Sequence, residues 1–419
     1  MPEPTLQNAF LFRQPILNRK EELAGYQLSF GSGDESAAAC RRTGSGATAA
    51  LCAAYSELGM QSALGNSCAF IDIDSDFLQE RAIELLPPAG VVLELMLDDV
   101  PDKATLARCH YLRDRGYTLA LARYRGIDDR SRPMLPMLQV IKIDIETASE
   151  SELRDLAGSL RHLPLKLLAQ GVASREQMEC CRCLGFELFQ GRYFAQAEVV
   201  SGRRLSASQA ALIRLINLVG RDVDTMVIED AFKHEPALTL NLLRVVNAVG
   251  HRGGGGLAQP VTSLRHAITL FGRRQLQRWL SLLLLAPHGG TADPARSPLL
   301  QVAALRGRMM ELLVPVGHVN DHKLADLAFI TGILSMMPAA LGLPIEELLE
   351  QIAVEPKVRH ALCQHEGLLG TILALLERFD SDDAEGCDRL LSVLPGAFDR
   401  HTLNTCLSVA LRWLNSTSE

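Results

Sequence analysis

The chain changes its period once. From residue 9 to about residue 200, short apolar or alternating runs recur: "AFLFR", "GYQLSF", "CAFIDID", "VVLELM", "TLALARY", "VIKIDI", "KLLAQGV" and "LFQGRYFA". Each has the length of a strand, and from "CAFIDID" onward the gaps hold stretches of helical period such as "PDKATLARCHYLRDRG" and "SESELRDLAGSLRHL". A repeating strand–helix unit implies a parallel sheet covered by helices. About eight strand candidates in roughly 200 residues fit a closed α/β barrel better than an open doubly wound sheet. No Gly-rich dinucleotide or phosphate-loop fingerprint follows any strand.

Beyond "VSGRRLSASQ" the strand signal ends, and apolar residues recur at spacings of three and four. The segments are "SQAALIRLINLVG", "IEDAFKHEPALTLNLLRVVNAVG", "VTSLRHAITLFGRRQLQRWLSLLLLA", "LLQVAALRGRMMELLVPVG" and "DHKLADLAFITGILSMMPAALG", with more to Trp413. Gly220, Gly250, Pro287, Gly317 and Gly342 supply stops. The expected fold class is therefore α/β plus all-α: a TIM-like barrel over residues 1–200 and a helical domain over 201–419. The glycine run "GHRGGGGLAQP" reads as an interhelical loop, since no helix begins directly after it. The segment "VVSGRRLSASQ" reads as a linker, either helical or hinged.

Composition narrows the function classes. Hydrophobic residues make up 47% and charged residues 22% of 419, a globular balance for two domains. The net charge of -7 argues against general affinity for nucleic acid or anionic membrane. The ten cysteines are scattered, and Cys180, Cys181 and Cys183 lack the second pair or histidines of a zinc site, so they are expected to be reduced and the chain cytoplasmic. The N-terminus lacks a signal-peptide pattern, and "WLSLLLLA" is far shorter than the roughly 20 residues that span a bilayer.

The segments "RQPILNRKEELAGYQLSF", "AFIDIDSDFL", "VVLELMLDDV", "VIKIDI", "LLAQGVAS" and "LGFELFQGRYFAQAEVVSGRRLSASQ" resemble, in order, an EAL domain, the bacterial cyclic di-GMP phosphodiesterase barrel. In the second half, "HEPALTLNLLRVVNAVG", "VTSLRHAITLFGRRQLQRWL", "LAFITGILSMM" and "HEGLLGTILALLERFD" resemble an HDOD domain, a helical relative of metal-dependent HD phosphohydrolases. Together they are similar to the EAL-HDOD signalling proteins over nearly the whole chain.

The resemblance implies a site that has lost its chemistry. An active EAL barrel hydrolyses a phosphodiester with water held between two divalent metals, which needs carboxylates at the C-terminal ends of its strands. The signature Glu falls here on Gln27, the phosphate-gripping Arg on Gly31, and the metal-binding Asn on Asp72. Glu94 is kept, the metal-anchoring Asp pair falls on Ala122 and Arg123, and Lys142 and Asp144 keep the Lys-x-Asp motif. The two Glu of the loop "LAQGVAS" fall on Gln170 and Ala173, while Gln190 keeps the final glutamine. Two divalent ions need compensating anions, so no metal and no cofactor is expected. Arg123 is expected to pair with Glu94 or Asp144 in the space a metal would hold, and Lys142 with Asp144 as a structural pair.

The His-Asp slot of HD hydrolases falls on Ser335 and Met336, neither a ligand for a hard ion. The histidines His234, His251, His266, His318, His322, His360 and His365 are scattered and are expected to be surface or core residues rather than ligands. By resemblance, the chain is a catalytically inactive regulator in cyclic di-GMP signalling of motility, biofilm or virulence, acting on other signalling proteins, with a homodimer as a candidate assembly. Arg273, Arg274 and Arg278 are the candidate anchors for a partner. The alternatives are a receptor that binds cyclic di-GMP without cleaving it, and a residual phosphodiesterase. The missing arginine at Gly31 counts against the receptor, although Arg123, Arg125 or Arg192 could replace it.

Overall fold

The computed structural model describes residues 10–31, 67–96, 99–129, 131–195, 206–252, 261, 263–285, 297–317, 322–394 and 398–418. Most of the glycine run, the linker around residue 200, and Pro287, His251 and His318 as sequence signals lie outside the described residues or their side chains.

All eight strand candidates form strands: β1 (Phe10–Asn18), β2 (Leu23–Gly31), β3 (Cys68–Ile73), β4 (Val91–Leu95), β5 (Thr118–Leu121), β6 (Val140–Asp144), β7 (Lys166–Val172) and β8 (Leu188–Gly191). They close a barrel in sequence order. The parallel expectation holds for β2 through β8, whereas β1 runs antiparallel to both its neighbours. The reason is the length of the connection between β1 and β2, which is too short for a crossover helix and therefore folds as a hairpin. Asn18 shapes that turn by accepting from the Lys20 and Glu22 backbone N–H groups at 2.8 and 3.0 Å.

Strand alternation sorts the side chains. One set, Ile16, Phe70, Val92, Ala120, Val140 and Leu168, fills the barrel interior. The other set, including Leu28, Ile71, Leu93, Leu119, Ile143 and Ala169, faces outward in the larger core that also holds residues of helices α1 (Lys103–Asp114), α2 (Glu150–Leu160) and α3 (Arg175–Leu184). Asp102 caps α1 by accepting from the Thr105 N–H at 2.7 Å, and Ser149 and Ser174 open α2 and α3 with reciprocal capping boxes.

By contact density the chain forms two compact units. One groups Met1–Gln196 with Ala295–Gln301 and Ala374–Glu419, and the other groups Ala197–Pro294 with Val302–Leu373. The chain thus returns twice to the barrel's unit after residue 200. The closing helix α4 (Arg400–Ser418) packs along β1, where the Asn404 side chain accepts from the Leu11 N–H at 3.1 Å. Phe379 stands against Phe10 and Phe12 with ring centroids 6.3 and 5.2 Å away. On the barrel's outer wall Tyr26 donates to Gln301 at 2.6 Å, and the Arg13 guanidinium lies 3.3 Å from the Tyr26 ring centre.

The second unit is helical among its described residues. Three of the long helical segments read from the sequence are broken at residues that cannot continue a helix. The first breaks before Pro236, the second at Gly272 with φ 78°, and the third at Ser335–Met336, where Pro338 opens the next turn. Helices end at Gly220 and Gly317, and Gly342 is a left-handed cap, while the helix containing Gly250 continues to Arg252. Among the described residues one stretch, Lys323–Leu341, is long and apolar enough by length and composition to cross a membrane, although "WLSLLLLA" was the longest oily run in the sequence reading. Of its most apolar window 61% is buried within the protein, as core helices are.

Candidate functional site

Directly above the apolar layer inside the barrel lies a polar one. Alternation places Gln14, Gln27, Asp72, Glu94, Ala122, Lys142, Gln170 and Gln190 two residues along each strand from the interior apolar positions, toward the C-terminal ends of the parallel strands. The register puts Asp72 opposite Glu94, Asp144 opposite Gln170, and Gln170 opposite Gln190. Seven positions assigned one by one by resemblance, Asp72 among them, therefore fall in a single ring, together with Gln14. Gln14 was missed in the sequence. Its signal was its place two residues before the interior Ile16, and its side chain accepts from Gln190.

The ring is hydrogen-bonded to itself. The Lys142 ammonium lies 2.8 and 3.0 Å from the two Glu94 oxygens and donates to Gln27 Oε1 at 2.8 Å. Gln27 in turn donates to Asp72 Oδ1 at 2.9 Å. Glu94 and Lys142 are 1% and 3% exposed, which takes both out of bulk water and makes their pairing obligatory. Burial pushes the Glu94 carboxyl up to about 7; Lys142 opposes that rise and Asp72 adds to it.

Two sequence expectations fail here. Arg123 does not answer Glu94 or Asp144: it is exposed, adopts φ 52°, and among the described residues forms no ion pair with either acid. Lys142 reaches the same space from inside the barrel on a straight strand, so the shorter path supplies the cation. For the same reason Lys142 pairs with Glu94 rather than Asp144, which instead accepts from the Glu146 N–H at 3.0 Å.

The loop "LAQGVAS" divides by function. Gln170 points inward, whereas Ala173 sits exposed beside the capping box of α3, its N–H donating to Gln177 at 2.8 Å. Gly171 takes φ 87° at a register shift between β7 and β8. Across that seam a Cβ on Gly191 would stand 2.0 Å from the Val172 carbonyl oxygen. Gly31 ends β2, so no side chain grips a phosphate from that position.

The donor set does not fit a pair of divalent cations. Three carboxylates, Asp72, Glu94 and Asp144, are set against the Lys142 ammonium, and Gln27, Ala122 and Gln170 add no charge. Glu94 already holds an ammonium at contact distance.

In the helical unit, Ser335 accepts from Arg306 at 2.9 Å and donates to the Gly332 carbonyl at 2.7 Å, while Met336 is 2% exposed. Both side chains are parts of the helical packing. The candidate anchors are also committed. Arg278, with its side chain 12% exposed, bonds Glu311 and lies 2.8 Å from Asp326, under the Phe329 ring; Arg274 pairs with the same two acids. Arg273 pairs with Asp222 at 3.1 Å. Their amphipathic spacing announced a basic helix face, but their acids come from distant helices and left no local trace.

No family model matches the chain. It is 29% identical over 418 residues to a Vibrio cholerae protein named cyclic di-GMP phosphodiesterase CdgJ, covering 98% of this chain and 93% of that one. It is 23% identical over 413 residues to the uncharacterized protein YuxH of Bacillus subtilis, covering 97% and 98%. Among solved structures, an EAL domain protein of Listeria monocytogenes aligns with TM-score 0.36 and 16% identity over 45% of this chain and 88% of that one. A standalone EAL protein of Vibrio cholerae, in its c-di-GMP bound form, aligns with TM-score 0.36 and 20% identity over 45% and 92%. The N-terminal half of this chain is a closed eight-stranded barrel, and the remainder is helical among its described residues.

Proposed function

We propose that this chain is a regulator in cyclic di-GMP signalling that does not hydrolyse the nucleotide, and that its helical region is an HDOD-type interaction module acting on other signalling proteins. The observation that carries this reading is the small number of acids in the ring, where Asp72 and Glu94 are the carboxylates among its eight residues and a two-metal hydrolase needs more. The neutral Gln27, Ala122 and Gln170 support it, because neither amide nor methyl offsets the charge of a divalent ion. Arg273, Arg274 and Arg278 stay the candidate anchors for a partner, which would have to compete with Asp222, Glu311 and Asp326 for their guanidinium groups.

A second reading, a working phosphodiesterase, draws on the name of the Vibrio cholerae relative. The two are separated by incubating the purified protein with cyclic di-GMP and either magnesium or manganese, and following the linear product. No product is expected. Turnover that rises with manganese and disappears in Glu94→Ala would establish the second reading. Calorimetry with cyclic di-GMP distinguishes a silent scaffold, which gives no heat of binding, from a receptor that binds and does not cleave.

A further inference from the structure

At the end of the barrel away from the ring, the last turn of α2, the start of β7, the last turn of α3 and the start of β8 line a cleft of about 500 Å³. That volume is within the usual range for a small-molecule site. Leu160, Leu163, Leu165 and Leu184 give it an apolar side. Its polar rim sets Arg161 and Lys166, both exposed, against one carboxylate, Glu187, and among the described residues none of the three is in an ion pair. Such a rim matches a ligand with two carboxylates and one ammonium group. Cys183 is exposed in the same cleft.

Helix α3 carries three thiols, all free, and sorts them by face. Cys181 lies with Met178 on the buried side, and burial, with Cys180 adding to it, pushes its thiol up to about 12. It behaves as a small apolar group. Cys183 and the half-buried Cys180 lie off that side, three residues apart, which makes them neighbours on the helix surface with roughly 5–6 Å between Cβ atoms. A disulfide needs about 3.5–4.5 Å. The final turn can supply the difference, since Cys183 is the penultimate residue of α3 and Gly185, with φ 101°, already leaves the helix. The two have the Cys-x-x-Cys spacing of a dithiol pair, and reactive thiols are those exposed beside cations.

We infer that Cys183 is a thiol–disulfide exchange site for a small carboxylate-bearing peptide disulfide of the glutathione disulfide kind, with Cys180 as the resolving thiol. The Cys183 thiolate attacks one sulfur of the small disulfide and expels one small thiol, leaving a mixed disulfide seated in the cleft. The Cys180 thiolate then attacks the Cys183 sulfur, expels the second small thiol and closes the Cys180–Cys183 bridge. The two protein thiols give up two protons and two electrons, and the small disulfide takes up both as two thiols. The site lies at the opposite end of the barrel from Gln27, Glu94 and Lys142, and it is independent of whether the barrel hydrolyses cyclic di-GMP.

The test is incubation of the reduced full chain with glutathione disulfide, followed by acid quenching, alkylation, trypsin digestion and mass spectrometry. Peptides 176–182 and 183–192 should be found linked, with Cys181 alkylated. Cys180→Ser should instead stop at one glutathione on Cys183, and Cys183→Ser should give neither product. Arg161→Ala combined with Lys166→Ala should slow the reaction with glutathione disulfide at least about threefold and leave that with uncharged hydroxyethyl disulfide within about 1.5-fold, while the unfolding midpoint stays close to the parent. An unmodified Cys183, a bridge through Cys181, a mixed disulfide that persists in the parent, or a rate with glutathione disulfide that survives loss of both cations overturns the inference. Equal slowing with both disulfides overturns it as well, since the cations would then act on the thiol alone.

Discussion

Lys142 shows how one side chain fixes the character of the site. Removing one partner of a buried ion pair leaves an uncompensated charge, so Lys142→Met should destabilise the protein by about 3–5 kcal/mol near neutral pH. The sign of its pH dependence follows from Glu94. Its folded-state pKa is already raised, to about 7, so the stability linked to its burial is full below its unfolded value and is lost as pH rises toward 7. Without the ammonium that opposes the rise, the ionised carboxylate becomes costlier still. The deficit of Lys142→Met should thus be largest near about pH 8 and shrink toward about pH 5. Urea unfolding at both values checks this, and Glu94→Gln with Lys142→Met should recover part of the loss. An equal deficit at both pH values would show that Glu94 is not the group left exposed to the change.

Among the elements, the seam between β7 and β8 is the least tolerant. Its two strands approach so closely at Gly191 that a methyl group would meet backbone, which cannot rotate away as a side chain can. Gly191→Ala should therefore cost at least the roughly 1–3 kcal/mol typical of an overpacked interior, and it should also disturb the neighbouring Gln190–Gln14 bond. Thermal unfolding, with amide exchange on β7 and β8, would report both effects. The strands and the capped helices were legible because alternation, period and Ser-x-x-Glu or Ser-x-x-Gln caps are local. The breaks at Pro236, Gly272 and Ser335 were harder to read, since amphipathic spacing runs through them without interruption.

For the whole molecule, the C-terminal return to the barrel's unit matters most. Phe10 and Phe12 are buried, and Phe379 and α4 supply part of what covers them. A chain ending near residue 200 should expose this aromatic face and aggregate or unfold, although all eight strands are present. Phe379→Ala, far from the barrel in sequence, should destabilise the barrel by about 3–5 kcal/mol, the usual cost of truncating a buried Phe. Solubility of the truncated chain and amide protection of β1 in the full-length variant check the two statements. A soluble, cooperatively folding truncated barrel would show that the return is dispensable.

Strand count and the helical second half could be read from residue order, because both depend on spacing alone, while the expectation of neutral Gln27, Ala122 and Gln170 in place of carboxylates came from the resemblance to EAL domains. The position-by-position placement also put the polar residues on one level, since a strand's period of two carries each to the same side. Which cation meets which anion could not be read that way. Arg123 and Lys142 are equally plausible partners for Glu94 as letters, and the choice depends on a left-handed turn that sends one outward and a straight strand that sends the other in. Arg278 likewise reads as a surface cation until folding brings Glu311 and Asp326 to it. Pairing is a property of distance in space, and residue order constrains that distance only within a strand or a turn of helix.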